Sequence, residues 1–185
     1  IDQLTNSPDV VGFDTVLTGS QSVIYFTVEN DFDQLVGGVP ETRKASSIFM
    51  LSANDVISVW ATAAEMGLDD EDRIIGLAMD DVPASVNGRN PSCLFSLLST
   101  SPTVLGGRLD LSTDLVTNRY VNHADVLHFM KTGIGHNPDP LSSKNTVAGG
   151  ALRIWRTGSS LGFSLAAIPE IDSIGTVDPP TAPSG

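Results

Sequence analysis

The strongest constraint in this sequence is a short apolar segment that returns. Tyr25-Phe26-Thr27-Val28 comes back 69 residues later as Leu94-Phe95-Ser96-Leu97. Leu35-Val36-Gly37-Gly38 returns at the same offset as Val104-Leu105-Gly106-Gly107. Further on, Ala45-Ser46-Ser47-Ile48-Phe49-Met50 is answered by His123-Ala124-Asp125-Val126-Leu127-His128-Phe129, with Ile48 set against Val126 and nine extra residues in the second copy. Gly162-Phe163-Ser164-Leu165 is a weaker third echo. The unit reads as a strand, a polar loop ending in Gly-Gly, a second strand and then an acidic turn. Repeated supersecondary units stack or pair around a shared core.

The rest of the chain supports a strand-rich reading. Apolar runs span 23–28, 47–51, 55–60, 74–79, 93–98, 125–129, 152–155 and 161–168. They are short, rich in Val, Ile, Phe and Leu, and bounded by Gly, Pro, Asn or Ser, which is the strand signature. The run Val23 to Val28 is nearly continuous, so burial on both faces is expected. One stretch has helical character, Asn54 to Gly67: Val56-Ile57-Ser58-Val59-Trp60 reads equally as a strand, Ala61-Thr62-Ala63-Ala64-Glu65 favours helix and Gly67 stops it, so a short helix near 60–67 is expected. Residues 176–185 hold three prolines and read as an extended tail.

Composition narrows the function classes. Twenty-two acids face ten bases, for a net charge of −12. Arg43-Lys44 is the only adjacent basic pair, so the clustered cations that grip nucleic acid are missing. An anionic membrane surface would repel the chain. Cys93 is the single cysteine, which excludes an intrachain disulfide, and its apolar setting suits a buried thiol. A chain beginning at Ile1 is expected to be an exported one whose signal peptide has been removed, placing it in the periplasm, at the cell surface or outside the cell. No apolar run reaches the roughly 18 residues of a membrane-spanning helix.

Leu94-Phe95-Ser96-Leu97, Ala124-Asp125-Val126-Leu127 and the acidic turn Met66-Gly67-Leu68-Asp69-Asp70-Glu71-Asp72 together resemble a group of uncharacterised secreted bacterial β-rich repeat proteins, many of which carry PEP-CTERM-type sorting tails. The likeness covers about residues 22–135. It implies an exported β-rich module and supplies no catalytic residues.

Two acidic loops are candidate Ca²⁺ sites, because hard cations gather carboxylate and carbonyl oxygens in a turn. One holds Asp69, Asp70, Glu71 and Asp72; the other holds Asp31 and Asp33. Neither has EF-hand spacing. His123, Asp125, His128 and His136 form the alternative constellation, that of a metal-assisted hydrolase, although on a regular strand 123 and 125 would share a face that 128 does not. There is no Gly-x-Ser-x-Gly elbow and no phosphate-binding glycine loop. Aromatic residues are only 6% of the chain, which argues against a sugar-stacking cleft, yet Trp60 and Trp155 keep a ligand-binding sandwich as a third reading. In Arg153-Ile154-Trp155-Arg156 alternate side chains face opposite ways on a strand.

The expected fold is mostly β: a β-sandwich or flattened barrel from two related halves, with at most one or two short helices. Residues 1–175 form one domain, with repeat units at about 22–80 and 91–135. The expected core is Val23, Tyr25, Phe26, Val28, Ile48, Phe49, Ile57, Trp60, Ile75, Leu77, Leu94, Phe95, Leu97, Val126, Leu127, Phe129, Ile154 and Phe163. The expected role is a non-catalytic structural, adhesive or accessory subunit, Ca²⁺-stabilised, assembling with itself or with a protein partner.

Overall fold

The computed structural model describes residues 8–18, 21–79, 92–106, 110–112, 118–131, 146–156 and 161. Among these the chain is mostly β, with thirteen strands and two single-turn helices. All strand pairs are antiparallel. The first sheet joins β1 (Val10–Thr18), β2 (Gln21–Val28), β5 (Ile48–Leu51) and β6 (Ile57–Ala61), in that order. The second runs β12 (Thr146–Val147), β13 (Gly150–Arg156), β11 (Val126–Lys131), β8 (Ser92–Leu97), β7 (Ile74–Met79). Two hairpins complete the set: β3 (Phe32–Val36) with β4 (Val39–Arg43), and β9 (Asp110–Ser112) with β10 (Asn118–Tyr120).

The two sheets follow one pairing plan. β1 pairs with β2, with a register slip between Val10 and Gly12; β7 pairs with β8, with a slip between Ile74 and Gly76. Gly12 lies opposite Thr27, and Gly76 opposite Ser96. Phe26 is partnered by Phe49, and Phe95 by Leu127. β5 pairs with β6 with a slip between Ile48 and Phe49; β11 pairs with β13 with a slip between Val126 and Leu127. A bulge bends its strand and raises the local twist, so matched bulges give the two sheets matched curvature. In each unit a hairpin is inserted between the second and third sheet strands. The sequence echo carried the first unit to residue 80, whereas the pairing places β7 with the second sheet, where its strand partner among the described residues is β8.

Not all of the echo has a structural counterpart. Leu35 to Gly38 closes β3 and forms the β3–β4 turn, where Gly37 and Gly38 both have positive φ, as a tight two-residue hairpin requires. Val104 and Leu105 instead end α2 (Pro102–Leu105), a helical turn begun by proline. The helical expectation near 60–67 corresponds to α1 (Ala63–Met66), which is opened by a capping box: Glu65 N–H donates to Thr62 Oγ1 at 3.2 Å, and Thr62 N–H to Glu65 Oε2 at 2.8 Å. The third echo, Gly162 to Leu165 and so Phe163 with it, and the proline-rich tail lie outside the described residues.

Side chains alternate across each strand, so each sheet has two faces. One face of the first sheet carries Val16, Tyr25, Met50 and Trp60 into the main core. There it meets Leu77, Phe95, Leu127, Phe129 and Ile154 of the second sheet. The Trp60 and Phe129 rings cross edge to face at 5.9 Å. The other face of the first sheet carries Phe26, Phe49 and Ile57, which pack with Phe32 of the β3–β4 hairpin in a second cluster. Gln34 fixes that hairpin by donating from Nε2 to the Ile57 carbonyl at 2.8 Å. Burying each such aromatic contributes about 2–3 kcal/mol.

Register exposes a directional arrangement. Phe26 and Phe95 occupy equivalent places, yet Phe26 faces the hairpin and Phe95 faces the first sheet. The units therefore stack through unlike faces, rather than burying equivalent ones. Gly12 sits where β1 crosses β7: a Cβ there would lie 3.3 Å from the Ile75 carbonyl oxygen and 3.4 Å from the Leu77 nitrogen, on either side of Gly76. Val23, Tyr25, Ile75 and Leu94, expected in the core, are half-buried, and Ile24 is exposed, so burial on both faces of β2 holds only from Phe26 to Val28. Among the described residues no helix is long and apolar enough to cross a membrane.

Candidate functional sites

The acidic turn between the units is built around Asp72, which is fully buried. Its Oδ2 accepts from Asp69 N–H at 2.8 Å and from the Thr103 hydroxyl at 2.5 Å, and its Oδ1 accepts from Thr103 N–H at 2.9 Å. This carboxylate closes the turn on itself and ties it to α2. Asp69 Oδ1 accepts from Glu71 N–H at 3.1 Å. Sequence proximity put these acids together as oxygen ligands, but backbone donors within the turn engage two of them.

Asp70 and Glu71 are exposed and open onto a cleft of about 650 Å³ at the junction of the two units, which Asp31 also lines. The fold thus brings part of each predicted acidic loop to one place. Asp31 Oδ2 accepts from Lys44 Nζ at 2.8 Å, and Oδ1 from Ala45 N–H at 2.9 Å. Burial alone would raise the Asp31 pKa; the Lys44 and Ala45 hydrogen bonds and the charges of Lys44 and Arg73 outweigh it and hold the pKa below its usual value. Arg73 is anchored from Nη1 to the carbonyls of Glu71 and Asp72, both at 3.1 Å. Asp33 lies on the β3–β4 hairpin, where it accepts from the Thr42 hydroxyl at 2.7 Å. Among the described residues no group of three His, Cys, Asp or Glu side chains is arranged to hold a metal.

The histidine constellation is divided by local structure. β11 begins at Val126, so His123 and Asp125 belong to the preceding turn and not to a strand face. Asp125 is buried and accepts from Asn122 N–H at 2.9 Å. His128 Nδ1 accepts from Arg153 Nε at 3.1 Å across the β11–β13 pair. His136 lies outside the described residues. Cys93 is buried, and burial pushes its thiol pKa far up against a weaker opposing hydrogen bond from the Phe129 backbone. A small cavity of about 190 Å³ is lined by Leu94, His128 and Trp155, and the Arg156 guanidinium covers the Trp155 ring at 4.3 Å.

The feature missed in the sequence is an exposed apolar row. On the outer face of the first sheet, Phe13 is 69% exposed, Leu17 68%, Val10 52% and Ile24 37%. The β3–β4 hairpin covers this face over β5, β6 and the Phe26–Val28 end of β2, and leaves β1 and the Ile24 end of β2 open. The strand carrying the row was hidden by Gly12, Asp14 and Thr15, which break the apolar run. The signal that could have found it is Gly12 itself, 64 residues before Gly76 in matched settings. Exposed apolar rows of this kind recur at protein interaction sites.

Compared with known proteins, the chain matches no family model, no curated protein and no solved structure.

Proposed function

We propose that this chain is a non-catalytic structural or accessory module that arose by duplication of a β-unit, is exported, and joins a larger assembly by docking a sheet face on a protein partner. The carrying observation is the row Val10, Phe13, Leu17 and Ile24, held exposed on a regular sheet. Leaving such side chains in water forgoes about 1.5–3 kcal/mol each relative to burial, which a docked partner would recover. The chemistry-bearing groups lean the same way. Asp72 and Asp125 secure turns, His128 is paired with Arg153, and Cys93 is buried. A net charge of −12 suits a well-solvated exported protein.

The test is native electrophoresis of extracts from the organism that makes the protein, comparing wild type with a Phe13→Ser, Leu17→Ser double variant. The wild type should migrate in a complex well above 19.5 kDa, and the folded variant should fall to the free chain. A wild-type chain that migrates alone, together with turnover of ester, phosphoester or glycoside substrates by the purified protein, would contradict the reading in favour of a hydrolase.

A further inference from the structure

We infer that the open β1–β2 face docks the second unit of another copy of this chain, so that copies join head to tail. The inference rests on reading the chain as an assembly module, and it names the partner. Register sets Val10, Phe13 and Ile24 in the first unit against Ile74, Leu77 and Cys93 in the second. The first three are 52%, 69% and 37% exposed, whereas their counterparts are 0%, 2% and 1% exposed. The counterparts are buried in the main core, which they share with Tyr25, Met50 and Trp60 from the inner face of the first unit and with Met66 and Leu68. The molecule therefore already contains one example of the interface that this row lacks.

The covering face has its own counterpart. Tyr25 corresponds to Leu94, Met50 to His128 and Trp60 to Trp155, on the outer face of the second unit. Leu94, His128 and Trp155 are half-buried and border the 190 Å³ cavity. The chain thus presents, at its two ends, the two unlike faces that meet at its centre. An interface between unlike faces does not close on itself, and if the rotation does not close a ring it propagates as an open series. The net charge of −12 on every copy opposes that contact, so added salt strengthens it.

The experiment uses the purified full chain in sedimentation velocity. The wild type should form concentration-dependent oligomers that grow with salt. Phe13→Asp with Leu17→Asp removes one face, and Trp155→Asp the other; each folded variant, checked by circular dichroism, should be monomeric, weakened by at least about tenfold. Mixed together, the two variants should form a one-to-one dimer, because each keeps the face the other has lost. Trp155→Asp chains that still dimerise alone would show a symmetric contact and overturn the inference. So would a wild-type chain that stays monomeric at every concentration and salt, while a native complex that needs Phe13 would leave the broader reading intact with a different partner. If Trp155→Asp fails to fold, Leu94→Asp takes its place in the same mixture.

Discussion

Trp60 and Trp155 hold the same register position in the two units. Each follows the residue that opposes the third sheet strand, Val59 against Phe49 and Ile154 against Leu127. Each ring also carries a cation, Lys131 at 5.4 Å and Arg156 at 4.3 Å. Their surroundings differ: Trp60 is buried between Tyr25 and Phe129, and Trp155 is half-exposed.

That difference fixes a first prediction. Trp60→Ala empties a packed position and should destabilise the chain by about 3–5 kcal/mol in denaturant unfolding. Trp155→Ala loses a partly exposed ring and one cation contact, so about 1 kcal/mol is expected. Equal losses would contradict the directional stacking of the units.

The crossing of β1 and β7 gives a second. Gly12→Ala would bring a Cβ to 2.8 Å from Thr27 Oγ1 as well as against the β7 backbone. Backbone cannot step aside cheaply, so a loss of about 1–3 kcal/mol is expected, and truncating Thr27 to Ala in the same chain should not restore it. Full rescue by the second substitution would place the crowding on Thr27 alone.

Much of this fold could be read from residue types because apolar runs and turn formers report strands directly. Seven of the eight apolar runs fall on strands, the run 161–168 lying outside the described residues after Leu161, and Phe26 and Phe95 sit at matching places in the pairing of β2 with β5 and of β8 with β11. β1 escaped because Gly12 and Asp14 serve the crossing with β7, where Asp14 Oδ2 accepts from Met79 N–H at 2.7 Å; tertiary contact, not local pattern, chose them. The Gly-Gly echo misled for the opposite reason, since glycine ends hairpins and helical turns alike. The acidic turn looked like a ligand set because sequence shows carboxylates but not the N–H groups that fold back on Asp72.

Asp72 supports a third prediction. Asp72→Ala leaves the buried Thr103 N–H and hydroxyl without an acceptor, and should cost about 3 kcal/mol. Thr103→Val removes one of the bonds and should cost about 1 kcal/mol. Because both act on one contact, the double variant should be less destabilised than the two losses added together, as thermal or denaturant melts would show. Simple additivity would mean that Asp72 and Thr103 act separately.

The pH dependence follows from two depressed carboxylates. Glu65 is lowered by the Thr62 N–H first, against burial, with help from Lys131 and the Thr62 hydroxyl; Asp31 is lowered as described above. A carboxyl group whose folded pKa is depressed stabilises above its unfolded pKa, near pH 4, and loses that stability as pH falls through the folded value. Both side chains are partly solvated, so each contributes no more than about 1 kcal/mol. Melting between pH 7 and pH 2 should show the wild type losing stability below about pH 4, with Asp31→Asn and Glu65→Gln each flattening part of the fall.

Whether the open face of the first unit receives the second unit of a neighbouring copy is decided by photocrosslinking from position 17. A benzophenone amino acid replacing Leu17 in the purified chain should join two copies, with the linked peptide mapping by mass spectrometry to Leu94, Met130 or Trp155 of the other copy. Crosslinks from position 17 to the first unit of the other copy, or none between chains at concentrations where oligomers sediment, would contradict it.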